Sequence, residues 1–379
     1  MNHYNSETRL LLLLSRVGRV DSCYESAQTI INSGINWQAF LDLSIKQGTS
    51  NLIYKNLLKL KEIPDDVIGR FQNIYYSTVR SNILKINELD RIIDALGGAG
   101  VEVISLKGAV ASEKIFNDIG LYPSSDIDIL IKTEDIDGSR DVFMEMGYEL
   151  VDKEFDRYRD YYLQEGYHSV FSNGILCVEP HWNLFFRYFT TPPEFWWKES
   201  IIISSERHRY RVLSPEKDVL YNSFRLFSKS FNVLRFLVII AETLRYYADD
   251  IDWEKLLFYA RLYKFENVLR VVMRMTEELL GAPVPGEYCR FNNLRTGLLY
   301  RHACKLIMEG EVLHNPLSKG LLIFLRDDFR GALMVISRRI FPSMGEIVSR
   351  YRLPAGSKKA YIYYVLNPLF LIMRKHQKQ

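Results

Sequence analysis

The feature that most constrains this chain is a pair of aspartates, one residue apart, at the mouth of an unbroken apolar run. Asp126-Ile127-Asp128 leads straight into Ile129-Leu130-Ile131. Such a run reads as a buried strand, and in a strand residues i and i+2 share one face. The two carboxylates then lie ~7 Å apart on one side. Withdrawn from water they repel each other, and a divalent cation held between them removes that cost. The same tripeptide recurs twice in other settings. Asp135 and Asp137 fall in a first helical turn, where acids favour the helix dipole, and Asp252 precedes Trp253 as an N-cap. Only the first pair enters a strand.

Two further segments extend the pattern. Val101–Leu106 is a short apolar run that ends in Lys107-Gly108, followed by a helix over Ala109–Asn117. A glycine at that turn lets an anion approach the backbone, and the N–H groups of the helix start face it. Downstream, Ile175-Leu-Cys-Val-Glu-Pro-His181 is a second strand-like run that carries Glu179. Beside two aspartates, Glu179 is a third ligand that orients or deprotonates an attacking hydroxyl. Alone it is a solvated strand acid. His181-Trp182 reads either as a base contact or as a packed Trp with a hydrogen-bonded His.

The remaining chemistry is bounded by absences from the sequence. No GxxxxGK[ST] or GxGxxG occurs, so a P-loop or dinucleotide fingerprint is not expected. Four cysteines lack CxxC spacing, which argues against a zinc ribbon or disulfide framework and for reduced, cytoplasmic thiols. A net charge of +3 over 379 residues gives no global drive toward nucleic acid. No apolar stretch reaches roughly 18 residues, so no spanning helix is expected.

Periodicity divides the chain into three regions. Residues 1–97 read as helical, with a long helix over Asp65–Leu96 that stops at Gly97-Gly98. Residues 98–213 carry the strand signals: Ile127–Lys132, Tyr148–Val151, and His168–Phe171 with Ile175–Val178 around Ser172-Asn173-Gly174. The last pair forms a hairpin, and Ser200–Ser204 with Arg209–Leu213 form another. Residues 214–379 read as helical again. The expected fold class is α+β, a small mixed sheet with flanking helical regions.

Leu106-Lys107-Gly108, Ser125-Asp126-Ile-Asp128-Ile-Leu130 and Val178-Glu179-Pro-His181-Trp182 together resemble the uncharacterised nucleotidyltransferase group of the DNA polymerase β superfamily. Asn36-Trp37, Ser214-Pro-Glu216, Asp252-Trp253, Phe341-Pro342 and Asn367-Pro368 share the likeness, which therefore covers nearly the whole chain. It implies a nucleotidyltransferase core that moves a nucleoside monophosphate from an NTP, with ATP the expected one, to an acceptor that the sequence leaves unidentified. Pyrophosphate is released. By the same likeness Asp126, Asp128 and Glu179 are the catalytic residues and hold Mg²⁺ (or Mn²⁺), and Lys107, Gly108, Ser125 and His181 contact the nucleotide. The chain departs from the group in having Tyr122 where relatives carry an Arg, and in lacking their histidines over Tyr221–Ser230 and their Asp near Ile239. The alternative is a catalytically degenerate scaffold or interaction protein.

The C-terminal segment sets Arg338, Arg339, Arg350, Arg352, Lys358, Lys359, Arg374, Lys375 and Lys378 against the single acid Glu346, around an apolar, aromatic stretch. Tyr361, Tyr364, Val365 and Leu369 recur at helical spacing as one stripe, which predicts a packed terminal helix. Peripheral contact with anionic lipid, or with nucleic acid, is the other reading.

Overall fold

The computed structural model describes residues 4–17, 21–106, 108–152, 154–186, 189–204, 209–309, 320–354 and 356–373. The fold class is α+β, as expected. Seven short strands are recognised among the described residues: β1 (Ile104–Ser105), β2 (Ile127–Leu130), β3 (Glu149–Leu150), β4 (Phe171–Ser172), β5 (Cys177–His181), β6 (Ile201–Ser204) and β7 (Arg209–Val212). The first five form one sheet in the order β1-β2-β5-β4-β3, and β6 and β7 form a separate hairpin. Only the β2–β5 pair is parallel, so the sheet is mixed. β2 and β5 are its inner strands.

Alternation along β2 separates two cores. Ile127, Ile129 and Ile131 join Val178, Phe143, Phe171 and Trp182 on one face. Leu130, with Ile104 and Leu106, faces a larger core built from the N-terminal helices and the helices between 215 and 309. Asp128 has the parity of Leu130, so it points toward the larger, helical side.

The helix Asp65–Gly98 runs between these cores. Pro64 precedes it, Asp65 and Asp66 occupy its first turn, and Gly100 takes φ +78° just beyond its end. At 34 residues it is ~50 Å long. Phe71 and Tyr75 on its first half belong to the larger core, and Leu89, Ile92 and Leu96 on its second half belong to the smaller one. Asn82 and Lys85, both buried, lie between the two halves.

Three expectations need correction. The strands are shorter than their apolar runs. Ile175, expected in a strand, lies in a four-residue loop over 173–176 and is 84% exposed. Asn173 Oδ1 accepts from the N–H groups of Ile175 and Leu176, and this side-chain turn displaces the tight two-residue Asn-Gly turn. The terminal helix Lys359–Met373 is present, but Tyr361, Val365 and Leu369 are each more than half exposed. Its buried side is centred on Asn367. That side chain accepts from Arg350 (2.8 Å) and Tyr351 (3.1 Å) and donates to the Ile340 carbonyl (2.8 Å). A helix apolar on most sides has no stripe that dictates which face packs, and here one polar residue with three partners selects it.

Candidate active site

The site is assembled by the register of β2 on β5. In that parallel pair Asp128 is the partner of Glu179, and Leu130 is the partner of His181. Glu179 and His181, two apart on β5, share the face of Asp128. A proline inside an inner strand removes one ladder donor. Here the Pro180 carbonyl accepts from Ser169 N (3.2 Å), whereas the His181 carbonyl accepts from Ile131 N (2.9 Å). Successive residues face opposite neighbours, so Pro180 withholds its donor from the β4 side. The β2–β5 ladder that aligns Asp128 with Glu179 is spared.

His181 Nε2 lies 3.0 Å from Asp128 Oδ1 and 3.8 Å from Glu179 Oε2. The first is a hydrogen bond whose direction depends on the tautomer of the His181 ring. One ligand atom from each of Asp128, Glu179 and His181 lies within 4.8 Å of the others. His168 adds a second imidazole. It bridges to His181 across the strands, stacks on it at 5.1 Å between centroids, and puts Nε2 3.8 Å from Glu179 Oε2. Tyr167 stacks on His168 and on Phe186. The Asp128 side chain is fully buried, and about a fifth of each of the Glu179 and His168 side chains is exposed. The cluster therefore opens to solvent on the Glu179 side.

Asp126 precedes β2 and is half-buried. It lies outside the group of three but has the parity of Asp128. Its Oδ2 accepts from Ser125 Oγ (3.0 Å), and its carbonyl accepts from Ser124 Oγ (2.8 Å). Lys85 reaches this loop from the long helix, donating to the Ser124 carbonyl (2.8 Å). Burial lowers the Lys85 pKa, and the charge of Asp126 opposes that shift. Asn82 donates to the carbonyls of Ile119 and Tyr122. Gly108, at the head of the helix Ala109–Phe116, has φ +82°. A Cβ there would meet Ser124 Oγ at 2.8 Å. Gly108 thus presses against the loop that carries Ser125 and Asp126, for want of a side chain. Lys107, its expected partner at the phosphates, lies outside the described residues.

The helix Pro215–Ser228 covers the helical side of the cluster. Tyr221 feels the charges of Asp128 and Glu179; burial raises its pKa far above the ordinary value, and those carboxylates raise it further. Burial works against the Arg225 charge, but Tyr122, Tyr221 and Asp128 outweigh it and raise the Arg225 pKa. Arg225 donates to Asn222 Oδ1, and Asn222 donates to Asp218. Asp218, Asn222 and Arg225 form a polar row at i, i+4 and i+7.

Sequence reasoning missed Lys85, His168, Tyr221 and Arg225. For Lys85 a signal existed, because it falls on the buried stripe with Asn82, Ile86 and Leu89. Arg225 also had one, as the end of the polar row that runs from Asp218 through Asn222. His168 had none, since its place depends on how two separate strands pair.

Two carboxylates and an imidazole within ligating reach of one another, with a third carboxylate just before the same strand, could hold a metal ion. Trp182 is not in the cluster; it packs in the smaller core. No curated protein and no solved structure matches the chain. The family model described as "Uncharacterised nucleotidyltransferase" matches residues 33–281. This span takes in the long helix, both sheets and the helix over the site, and the chain belongs to the uncharacterised nucleotidyltransferase family.

Proposed function

We propose that the protein transfers a nucleoside monophosphate from an NTP, with ATP the first to test, to an acceptor hydroxyl or phosphate. A bond forms between the acceptor oxygen and the α-phosphorus, the bond to the β-phosphate oxygen breaks, and pyrophosphate leaves. Asp126, Asp128 and Glu179 would hold Mg²⁺ or Mn²⁺. The cation, when bound, neutralises the triphosphate and the charge that develops at phosphorus. Ser125 and the N–H groups that follow Gly108 receive phosphate oxygens, and Lys107 adds its charge. Glu179 faces solvent, where an acceptor arrives, and takes the acceptor's proton. His181 keeps the Asp128 carboxylate in one orientation.

The observation that carries this reading is the parallel register of Asp128 with Glu179, which brings His181 into the same cluster. The test is incubation with each α-³²P-labelled NTP, Mg²⁺ or Mn²⁺, and a cell extract. Label transferred to an extract component by the wild type, and not by Asp128→Asn, is the expected result. Equal labelling by both proteins, or none with any NTP and either cation, overturns it.

A further inference from the structure

The charge of this chain is segregated. Residues 329–379 contain ten Lys and Arg against Glu346 alone, a net +9, so the remaining 328 residues carry −6 of the total +3. The single acid is already engaged, because Glu346 pairs with Arg350. Arg330, Arg338, Arg339, Arg352, Lys358 and Lys359 are exposed.

The apolar residues of the segment are exposed as well. The helices Phe329–Ile340, Met344–Arg350 and Lys359–Met373 are tied into one unit by Asn367, by Ile347 and Ala360 in a small core, and by the Tyr351–Tyr363 ring pair. That packing uses one side of the terminal helix. The opposite side presents Tyr361, Ile362, Val365 and Leu369 to water. Phe341, itself nearly half exposed, packs on Tyr364 at 5.8 Å and extends the patch to the end of the preceding helix. Ile340 there is exposed too, and Arg338 and Arg339 adjoin it. An exposed face of aliphatic and aromatic side chains rimmed by cations is costly in water. No helix of the described residues is long and apolar enough to cross a membrane.

We propose that this face docks on the surface of an anionic lipid bilayer, with the helix Lys359–Met373 lying in the interface and its cations on lipid phosphates. Charge complementarity selects this occupant. A second copy of the chain would bring two +9 segments together. Nucleic acid would use the cations but leave Ile362, Val365 and Leu369 without a partner, whereas the acyl boundary receives them. Each cation near such a surface is worth about fivefold in binding, and exposed pairs are screened over about 10 Å at 0.1 M salt.

The experiment is sedimentation of the full chain with phosphatidylglycerol–phosphatidylcholine vesicles and with pure phosphatidylcholine vesicles, at low and high salt. The protein is expected to pellet with the anionic vesicles, to be released as salt rises, and to stay in solution with the neutral ones. Val365→Asp with Leu369→Asp is expected to weaken binding at least about tenfold with an unchanged melting temperature, since both sites are exposed. Charge reversal at Arg338, Arg339, Lys358 and Lys359 is expected to abolish binding, and it carries the test should the first variant fail to fold. The proposal is overturned if the wild type stays in solution with anionic vesicles at low salt, or if both variants bind as it does. A dimer or an RNA complex that Val365→Asp/Leu369→Asp dissolves, without vesicle binding by the wild type, also overturns it.

Discussion

His181 Nε2 sits 3.0 Å from Asp128 Oδ1, and the two residues stand on parallel neighbouring strands. A fully buried carboxylate needs a partner to be tolerated. His181 supplies one at contact distance, and Arg225 supplies positive charge from the covering helix. Asp128 is thereby fixed in place, as the proposed metal ligand has to be.

Asp128→Asn preserves side-chain size and removes the charge. It is expected to abolish nucleotidyl transfer, and to show none of the rise in melting temperature expected of the wild type with Mn²⁺ and ATP. The circular dichroism spectrum should be unchanged. Wild-type turnover in this variant would place the chemistry elsewhere.

His181→Ala separates support from ligation by carboxylates alone. Losing a residue that orients or completes a metal site weakens metal affinity by about 10- to 100-fold. Titration with Mn²⁺, followed by isothermal calorimetry, reads this directly. An unchanged Mn²⁺ affinity would reduce His181 to a packing partner of Tyr167 and His168.

Gly108→Ala meets two obstacles, a φ of +82° and the Ser124 hydroxyl 2.8 Å from the new Cβ. The expected cost is about 1–2 kcal/mol in urea denaturation, with weakened NTP binding as the Ser124–Asp126 loop is displaced. Ser124→Ala in the same chain relieves the hydroxyl contact, while the Ser124 Cβ stays 3.1 Å away and the bond to the Asp126 carbonyl is lost. Full rescue by that second change would show that the backbone angle costs nothing.

Burial pushes the Asp218 carboxyl up to about 6, against the opposing pull of Lys114, Arg225 and Asn222. A carboxyl whose folded pKa exceeds its unfolded one favours the native state while protonated. Its contribution is present below about pH 4 and is lost as pH rises through about 6. Asp218→Asn cannot lose it. The stability of that variant relative to the wild type should therefore increase between pH 4 and 7, by on the order of 2 kcal/mol, in parallel denaturation series. A difference that stays constant across this range would contradict the assignment.

What the sequence disclosed follows from how local each determinant is. The long helix was legible because its stops, Gly97-Gly98, and its apolar stripe belong to one segment. Asp126 and Asp128 stood out because the same seven residues hold both the carboxylates and the strand. Glu179 was found the same way. His168 could not be, since its neighbours come from the pairing of 168 with 181. Tyr221 and Arg225 depend on how a helix lies over a sheet. The terminal helix shows the limit of periodicity. Tyr361, Val365 and Leu369 keep the spacing of a buried stripe, yet Asn367 and its three hydrogen bonds turn another side inward.

The helix Asp65–Gly98 makes the candidate site inseparable from its surroundings. Its second half walls one side of the sheet, and its midpoint holds the loop before Asp126 through Asn82 and Lys85. Its first half is anchored in the other core. A fragment begun at Gly98 would keep the carboxylates of the site and lose the girder that fixes their spacing. Such a site cannot be transplanted as a cassette, and damage at Phe71, far along the same girder, would reach the proposed metal ligands as lost rigidity.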